Sequence, residues 1–494
     1  MTKLESARFR SVLSAQFTRM PDSLILALDL GTSSCRTALF DSHARRIEGT
    51  TAQETYPLLT SAKGAAEIEP SVLLQSVRGC LAQTMKSARG RKIAGVGVSC
   101  FWHSLIGTDA KGKPLTRIIT WADSRCREDA AALRKKFSER QIHSRTGCML
   151  RASFWPAKLA WLRRTQRRVF DRVSQWMSPA EWLQLTLSGG ANCALGMATG
   201  TGFFDPTKLA WDAALLTHCG VRQKQLRPLS DAPTPIVGSL VREFPALGSV
   251  PWFPAIGDGA ASNLGSGATQ PGLAAINVGT SAALRVMRSG KTARAPFGLF
   301  CYRVDAERFV IGGAVSDAGN LRAWCLRELR LPDDDAAIES ALAARPGPVE
   351  CLTVLPFWTS DRAPTWNEAA VGVIHGVSIN TTALDLLQAI TEASYHRIAR
   401  IGELVIAVEP RAPKFIVSGG IQRSPAALQR LADVLGLPVY PNDEMEASIR
   451  GAAIYALEKL GQPAPEIVLS KPVKPRARYA KDYAEARERQ RALE

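Results

Sequence analysis

At 494 residues the chain is too long for one hydrophobic core, so two or more large domains are expected. Apolar residues at 46% and charged residues at 22% fit a folded globular protein and exclude a disordered one. The net charge of +17 would suit a nucleic-acid binder, but the basic residues do not cluster well enough and no helix-turn-helix, zinc-finger or RNA-binding signature accompanies them.

Residues 1–22, rich in Arg and Ser, read as a disordered extension or as a start placed upstream of Met20. Leu24 to Leu30 (LILALDL) is a short apolar run ending in Gly31-Thr32. Arg36 to Phe40 then reads as a second strand and Arg45 to Tyr56 as a third, forming a meander. Pro70 opens a helix with Leu74, Val77, Leu81 and Met85 at helical spacing, Gly90 closes it, and Ile93 to Ser99 follows as a buried strand. Arg163, Arg164, Arg167 and Arg168 read as a solvated helix face. The stretch from Gly265-Ser266-Gly267 to Gln270-Pro271-Gly272 turns to small and turn-forming residues and reads as a linker or hinge. Beyond it come a strand at 308–312, a helix after Gly319, a long amphipathic helix from Ala383, and a strand from Lys414 to Val417 that ends on Gly419-Gly420.

Asp29-Leu30-Gly31-Thr32-Ser33 is echoed by Asn277-Val278-Gly279-Thr280-Ser281, and the order of elements around the two copies matches. Two lobes of related design are therefore expected, spanning 23–267 and 268–470, with a basic, helical tail at 471–494. The ten cysteines contain no CxxC pair and no regular framework, which argues against thiolate metal sites and disulfides and fits buried thiols in a reducing compartment. No stretch reaches the roughly 20 apolar residues of a membrane span. With no signal-peptide core at the N-terminus either, a cytoplasmic protein is expected.

A strand ending in Asp-x-Gly-Thr-Ser puts a carboxylate at the sheet edge and exposes backbone N–H groups and hydroxyls in a tight turn, an arrangement suited to a metal-bound phosphate. Asp29 is a candidate Mg2+ ligand there, with Thr32, Ser33 and Arg36 as phosphate donors and Gly31 allowing close approach. The second copy offers Gly279 and Thr280 from the opposite side, and its Asn277 carries no charge to repel phosphates. Asp258 stands between Gly257 and Gly259 where a strand gives way to a helix. Capping the helix is the plain role for such an acid, and the flanking glycines, read as admitting a substrate, favour a general base instead. Trp102 and His103 follow a buried strand and are expected at the sheet's carboxyl edge as substrate contacts, whereas Asp123 is either a contact or a helix cap. Glycine turns at Gly319 and at Gly419-Gly420 sit beside helix starts and could admit a nucleotide, while no GxxxxGK[ST] motif or strand-linked GxGxxG occurs.

Taken together these residues resemble the FGGY family of carbohydrate kinases, from about Leu24 to the tail. The stretches beginning at His103, Ile119, Arg145, Ala198 and Trp211, and the run from Asp361 to Asn367, are similar to those of its gluconate kinases. The resemblance implies an α/β, two-lobed actin-like ATPase fold with a ribonuclease H-like mixed sheet in each lobe. It implies transfer of the γ-phosphoryl group of ATP, with Mg2+, to a hydroxyl of a sugar or sugar acid, gluconate first. A kinase for xylulose or ribulose, and a non-catalytic sugar- or nucleotide-binding member of the fold, are the alternatives. By the same resemblance Asp258 is the catalytic base and Asp29 the Mg2+-linked aspartate, with Asp258 included in the metal set. Thr32, Ser33, Arg36, Gly279, Thr280, Gly319, Gly419, Gly420 and Ser424 belong to the nucleotide, and Trp102, His103, Asp123 and Asp258 to the substrate. The implied partners are a small-molecule sugar or sugar acid, neither nucleic acid nor membrane, with a homodimer left open.

Overall fold

The computed structural model describes residues 23–494 except 89, 410, 412 and 443, so the expectation for residues 1–22 lies outside the described residues. Two mixed sheets organise the chain. In the first, β1 (Leu24–Leu30), β2 (Ser34–Phe40) and β3 (Ala52–Thr55) form an antiparallel meander, α1 (Pro70–Ser87) crosses over, and β4 (Ile93–Cys100) returns parallel to β1. Short strands β5 (Thr234–Pro235), β6 (Pro251–Trp252) and β7 (Ile256–Gly257) extend the sheet beyond β4, giving the order β5-β6-β4-β1-β2-β3 with β7 also on β4. Every residue of β1 is buried, as expected of a central strand covered on both faces. The third strand is shorter than the sequence reading. The Asp41 carboxylate accepts from the N–H groups of His43 and Arg45, so this stretch makes a tight turn and pairs with β2 only through an isolated bridge between Phe40 and Arg46.

The second sheet repeats the plan with β8 (Leu273–Val278), β9 (Ala282–Ser289), β10 (Phe300–Arg303), β11 (Arg308–Val315), β12 (Lys414–Ser418) and β13 (Val439–Pro441). Its order is β10-β11-β9-β8-β12-β13, with β8 antiparallel to β9 and parallel to β12. The echo extends to register: Asp29 lies opposite Ser99 on the parallel neighbour of β1, and Asn277 opposite Ser418 on that of β8. Helices of this half include α3 (Gly319–Glu328), α4 (Ala383–Ile406) and α5 (Pro425–Leu435).

The stretch expected as a linker behaves differently. Gly265 and Ser266 belong to α2 (Asp258–Ser266), Gly267 ends that helix in the left-handed conformation, and only the turn at Gln270–Leu273 connects the sheets. Gly265 is a packing residue, because α2 crosses α6 (Ala447–Lys459) with almost no space between the backbones. A Cβ on Gly265 would overlap the Ala447 carbonyl oxygen, and one on Gly451 would overlap that of Ala261. Helix α6 also lies on the first sheet, where Gly97 of β4 makes room for the Ala452 carbonyl. An element from the second half of the chain thus covers the sheet built by the first.

The tail forms α7 (Ala480–Leu493), docked against the second half. The Tyr483 hydroxyl donates to Glu392 Oε1 at 2.9 Å, an oxygen also held by Arg430 at 2.7 Å, and Gln490 donates to the Val354 carbonyl. All ten cysteines are free and nine are buried, Cys351 being the exposed one. Arg163, Arg164, Arg167 and Arg168 are exposed. Among the described residues no helix is long and apolar enough to cross a membrane.

The helix crossing makes a direct prediction. Gly451→Ala overpacks it and should lower stability by about 3 kcal/mol, the upper end for an added core methyl, seen as a reduced denaturation midpoint in urea; an unchanged midpoint would show that the helices have slack.

Candidate active site

One cavity of about 670 Å³ lies between the sheets, and both Gly-Thr-Ser turns reach it: Thr32 and Ser33 from the β1–β2 turn, Thr280 and Ser281 from the β8–β9 turn. Trp102, His103, Asp123 and Asp258 also border it. The turns are built alike, Gly31 N–H donating to the Ser34 carbonyl and Gly279 N–H to that of Ser281, each at 2.9 Å. Thr32 Oγ1 accepts from the Trp121 indole at 2.9 Å. Behind the second turn, the Gly319 and Asn320 N–H groups at the start of α3 bond the carbonyls of Gly279 and Thr280. Gly419, at φ 92°, presses on Val278 so tightly that a Cβ there would come within 2.5 Å of its carbonyl oxygen. Gly319 and Gly419 therefore shape the second turn from behind. Ser424 is spent otherwise: its hydroxyl caps α5 by accepting from Ala427 N–H and donates to Glu339 at 2.7 Å.

Asp29 is 7% exposed, and burial pushes its carboxyl up to about 6, with Ser99 and Arg36 opposing and Asp258 adding repulsion. The register places Arg36 directly across from it on β2, with Nη1 at 3.7 Å, and the same guanidinium reaches Glu446 at 3.5 Å. Asp258 is not the helix cap. Gly257 holds that position, and Asp258 opens α2 with its Oδ1 accepting from Gly259 N–H at 2.7 Å. Burial raises its pKa, while Arg285, the Gly259 N–H and Arg362 oppose the shift.

The glycines flanking Asp258 have a different reason from the one read in the sequence. The Trp102 indole is slotted between Gly257, Gly259 and Gly200, where any Cβ would strike it, and its N–H donates to the Gly196 carbonyl at 2.9 Å. Trp102 is thus a wall beside Asp258, its polar atom already used. His103 sits at φ 65°, a left-handed turn that swings its ring to the cavity, and Lys158 holds its carbonyl at 2.8 Å. Its Nδ1 lies 2.6 Å from the Gly200 carbonyl, and burial pulls its pKa down to about 3. A carbonyl can only accept, so the neutral ring carries its proton on Nδ1 and leaves Nε2 as an acceptor. Asp123 borders the cavity, yet its carboxylate is 2% exposed and engaged by the Ala66 N–H and by Arg125. Those bonds fix the loop.

Sequence reasoning overlooked several groups. Tyr302 stacks on Phe300 at 4.5 Å and meets Trp102 and His103 edge-on at 4.9 and 5.6 Å, completing an aromatic wall. Arg285 and Arg362 line the cavity from the second half, and Arg362 lies 4.8 Å over the Trp121 ring of the first. Arg285 inside the otherwise apolar run Ala282 to Met287 was the available signal. Among the described residues no three His, Cys, Asp or Glu side chains cluster as a metal-ligand set.

The profile of the N-terminal domain of the FGGY family of carbohydrate kinases matches residues 24–265, and that of its C-terminal domain residues 274–458. Gluconokinase of Bacillus subtilis (strain 168) is 26% identical over 456 residues, covering 89% of this chain and 88% of its own. Xylulose kinase of Escherichia coli (strain K12) is 24% identical over 422 residues, 84% of this chain and 85% of its own. The crystal structure of gluconate kinase from Lactobacillus acidophilus shares the fold with a TM-score of 0.87 at 24% identity, over 95% of this chain and 97% of that one. The chain belongs to the FGGY family of carbohydrate kinases, phosphotransferases with an alcohol acceptor, and carries their two-domain actin-like ATPase fold.

Proposed function

We propose that this protein transfers the γ-phosphoryl group of ATP to a terminal hydroxyl of a sugar acid, gluconate being the acceptor favoured by its relatives. ATP is the phosphate donor of carbohydrate kinases of this family. The observation that carries the reading is one cavity bounded by both Gly-Thr-Ser turns with the Asp258 carboxylate on its wall. The backbone N–H groups and hydroxyls of the turns grip the phosphate chain from two sides, and the start of α2 adds its helix N-terminus. Asp258 accepts the proton of the attacking hydroxyl, its carboxylate kept available by Arg285 and Arg362. His103 Nε2 accepts a hydrogen bond from another hydroxyl of the acceptor, and the Phe300–Tyr302 wall packs on its carbon chain.

Mg2+ fits the residues present. Asp29 and Asp258 are mutually repelling carboxylates, and among the described residues no three His, Cys, Asp or Glu side chains cluster, which leaves phosphate oxygens and water to complete the shell. The ion, when bound, neutralises charge on the phosphates. Asp29 would be its protein ligand, with Asp258 the second carboxylate available to it.

Coupled measurement of ADP release across gluconate, other aldonic acids, xylulose, ribulose and glycerol tests the assignment, with gluconate expected to give the highest kcat/KM. Turnover of glycerol or a ketose in its place would overturn the gluconate reading but keep the kinase. Asp258→Asn should fold and retain ATP binding while kcat falls by about 10²–10⁴, the range of a positioned general base; near-normal turnover would exclude that role. Because His103 is held near 3, it stays neutral across the working range. The kcat/KM profiles of wild type and His103→Asn from pH 5 to 8 should differ in height and not in shape, and a limb near 6.5 lost in the variant would refute the neutral tautomer.

A further inference from the structure

Arg285 is 7% exposed, and among the described residues neither it nor Arg362 forms an ion pair. Burying a cation without an ion pair is costly, yet the fold is shaped around this one. Gly312 on β11 faces Arg285 in the sheet register, and a Cβ there would come within 2.7 Å of the Arg285 Cγ. Gly259 leaves space on the other side, where a Cβ would lie 3.1 Å from the guanidinium carbon. Asn263 accepts from Nε at 3.2 Å, which fixes the plane of the fork. Those are the marks of a seat that holds the guanidinium for a ligand. Arg362 is held likewise by neutral groups, donating to Ser316 Oγ at 3.0 Å and to the Val315 carbonyl.

Position separates this fork from the phosphate grip. Strand β9 starts at the second phosphate turn and leads away from it, so Arg285 is five residues beyond Thr280, roughly 16 Å along an extended strand. Between them Ala282 and Ala283 give the cavity a low floor. Phe300 pairs with the same Gly312, placing the aromatic wall on the neighbouring strand of that rung. Arg285 therefore belongs with the acceptor. Each guanidinium is drawn down to about 10, mainly by burial, with Asp258 opposing the shift; both stay charged at neutral pH.

We propose that Arg285, with Arg362 nearby, reads a carboxylate on the acceptor through its planar fork, making sugar acids the substrate class of this cleft and Arg285 its specificity-determining residue. The inference rests on the phosphoryl-transfer reading above. A guanidinium donates two parallel N–H groups to a carboxylate, a match that a neutral hydroxyl does not reproduce.

The test compares full-length wild type and Arg285→Gln on gluconate and on sorbitol, its neutral six-carbon counterpart, with Mg-ATP. The ratio of kcat/KM for gluconate over sorbitol should collapse by on the order of 100-fold in the variant. Arg285→Lys, which keeps the charge and loses the fork, should recover only part of it. Thermal melting of each variant identifies misfolding, and calorimetric binding of gluconate without ATP, expected to be lost in Arg285→Gln, reports recognition apart from turnover. An equal fall on both acceptors, or unchanged gluconate binding, would overturn the proposal by placing Arg285 with the phosphoryl group. A wild type that turns over only neutral sugars would instead sink the sugar-acid reading itself.

Discussion

The backbone contact between α2 and α6 is the constraint on which the site depends. Phosphoryl transfer between two bound molecules needs donors on two surfaces held in one geometry, and here those surfaces belong to separate sheets. Helix α2 carries Asp258 at its start and Gly265 near its end, so the crossing that locks α2 against Gly451 also sets where that carboxylate stands. Helix α6 meanwhile lies on β4 and β1, the strands that end at Cys100 and Leu30. Side chains at this crossing would push the sheets apart and carry the two Gly-Thr-Ser turns with them.

Within that frame the duplicated turns are deliberately unequal. Asp29 and Asn277 occupy the same place in the same register, opposite Ser99 and Ser418. The amide of Asn277 donates to the Ser418 hydroxyl at 3.1 Å and is satisfied locally. Asp29, buried beside a second carboxylate and 3.7 Å from Arg36, is left with a raised pKa and an unsettled charge. One turn is thus electrically complete without a ligand and the other is not. The proposed division of labour, a cation at Asp29 and an anion at Asn277, follows that difference in charge.

Local patterns explain what could be read in advance. The buried run of β1, the proline-started α1, the echo of the pentapeptide and the order of elements are short-range signals, and they led to the meander, the helix that follows it and the two lobes, while the mixed sheets came with the family resemblance. The misreadings concern partners distant in sequence. Gly265 looked like a hinge because the Ala447 carbonyl that it admits lies 182 positions away. Gly257 and Gly259 looked like an opening for substrate, and in the fold they make room for Trp102. Asp123 and Ser424 have partners that the sequence did not show, Arg125 and Glu339. Arg36 was read as a phosphate donor, and its nearest charged partners are Asp29 and Glu446.

Beside Arg362 and Trp366 the cleft is closed by a second bridge of different physics. The loop at 359–368 presents Arg362 and Trp366 to the cavity. Its shape is held from its own side by Arg397, which donates to Asp361 at 2.7 Å with both groups almost fully buried, an arrangement that fixes geometry more than it adds stability. Across the cleft, Glu368 meets Arg134 at 2.9 Å and the Ala152 N–H at 3.0 Å, and Arg151 donates to the Trp366 carbonyl at 2.8 Å. These are partly exposed polar contacts, worth little each because water replaces them readily. Separating α2 from α6 would instead break close-packed backbone contact and expose apolar surface. The glycine-packed helices are therefore the fixed edge of the cleft, and the 359–368 loop, carrying Arg362, is the edge that costs least to part.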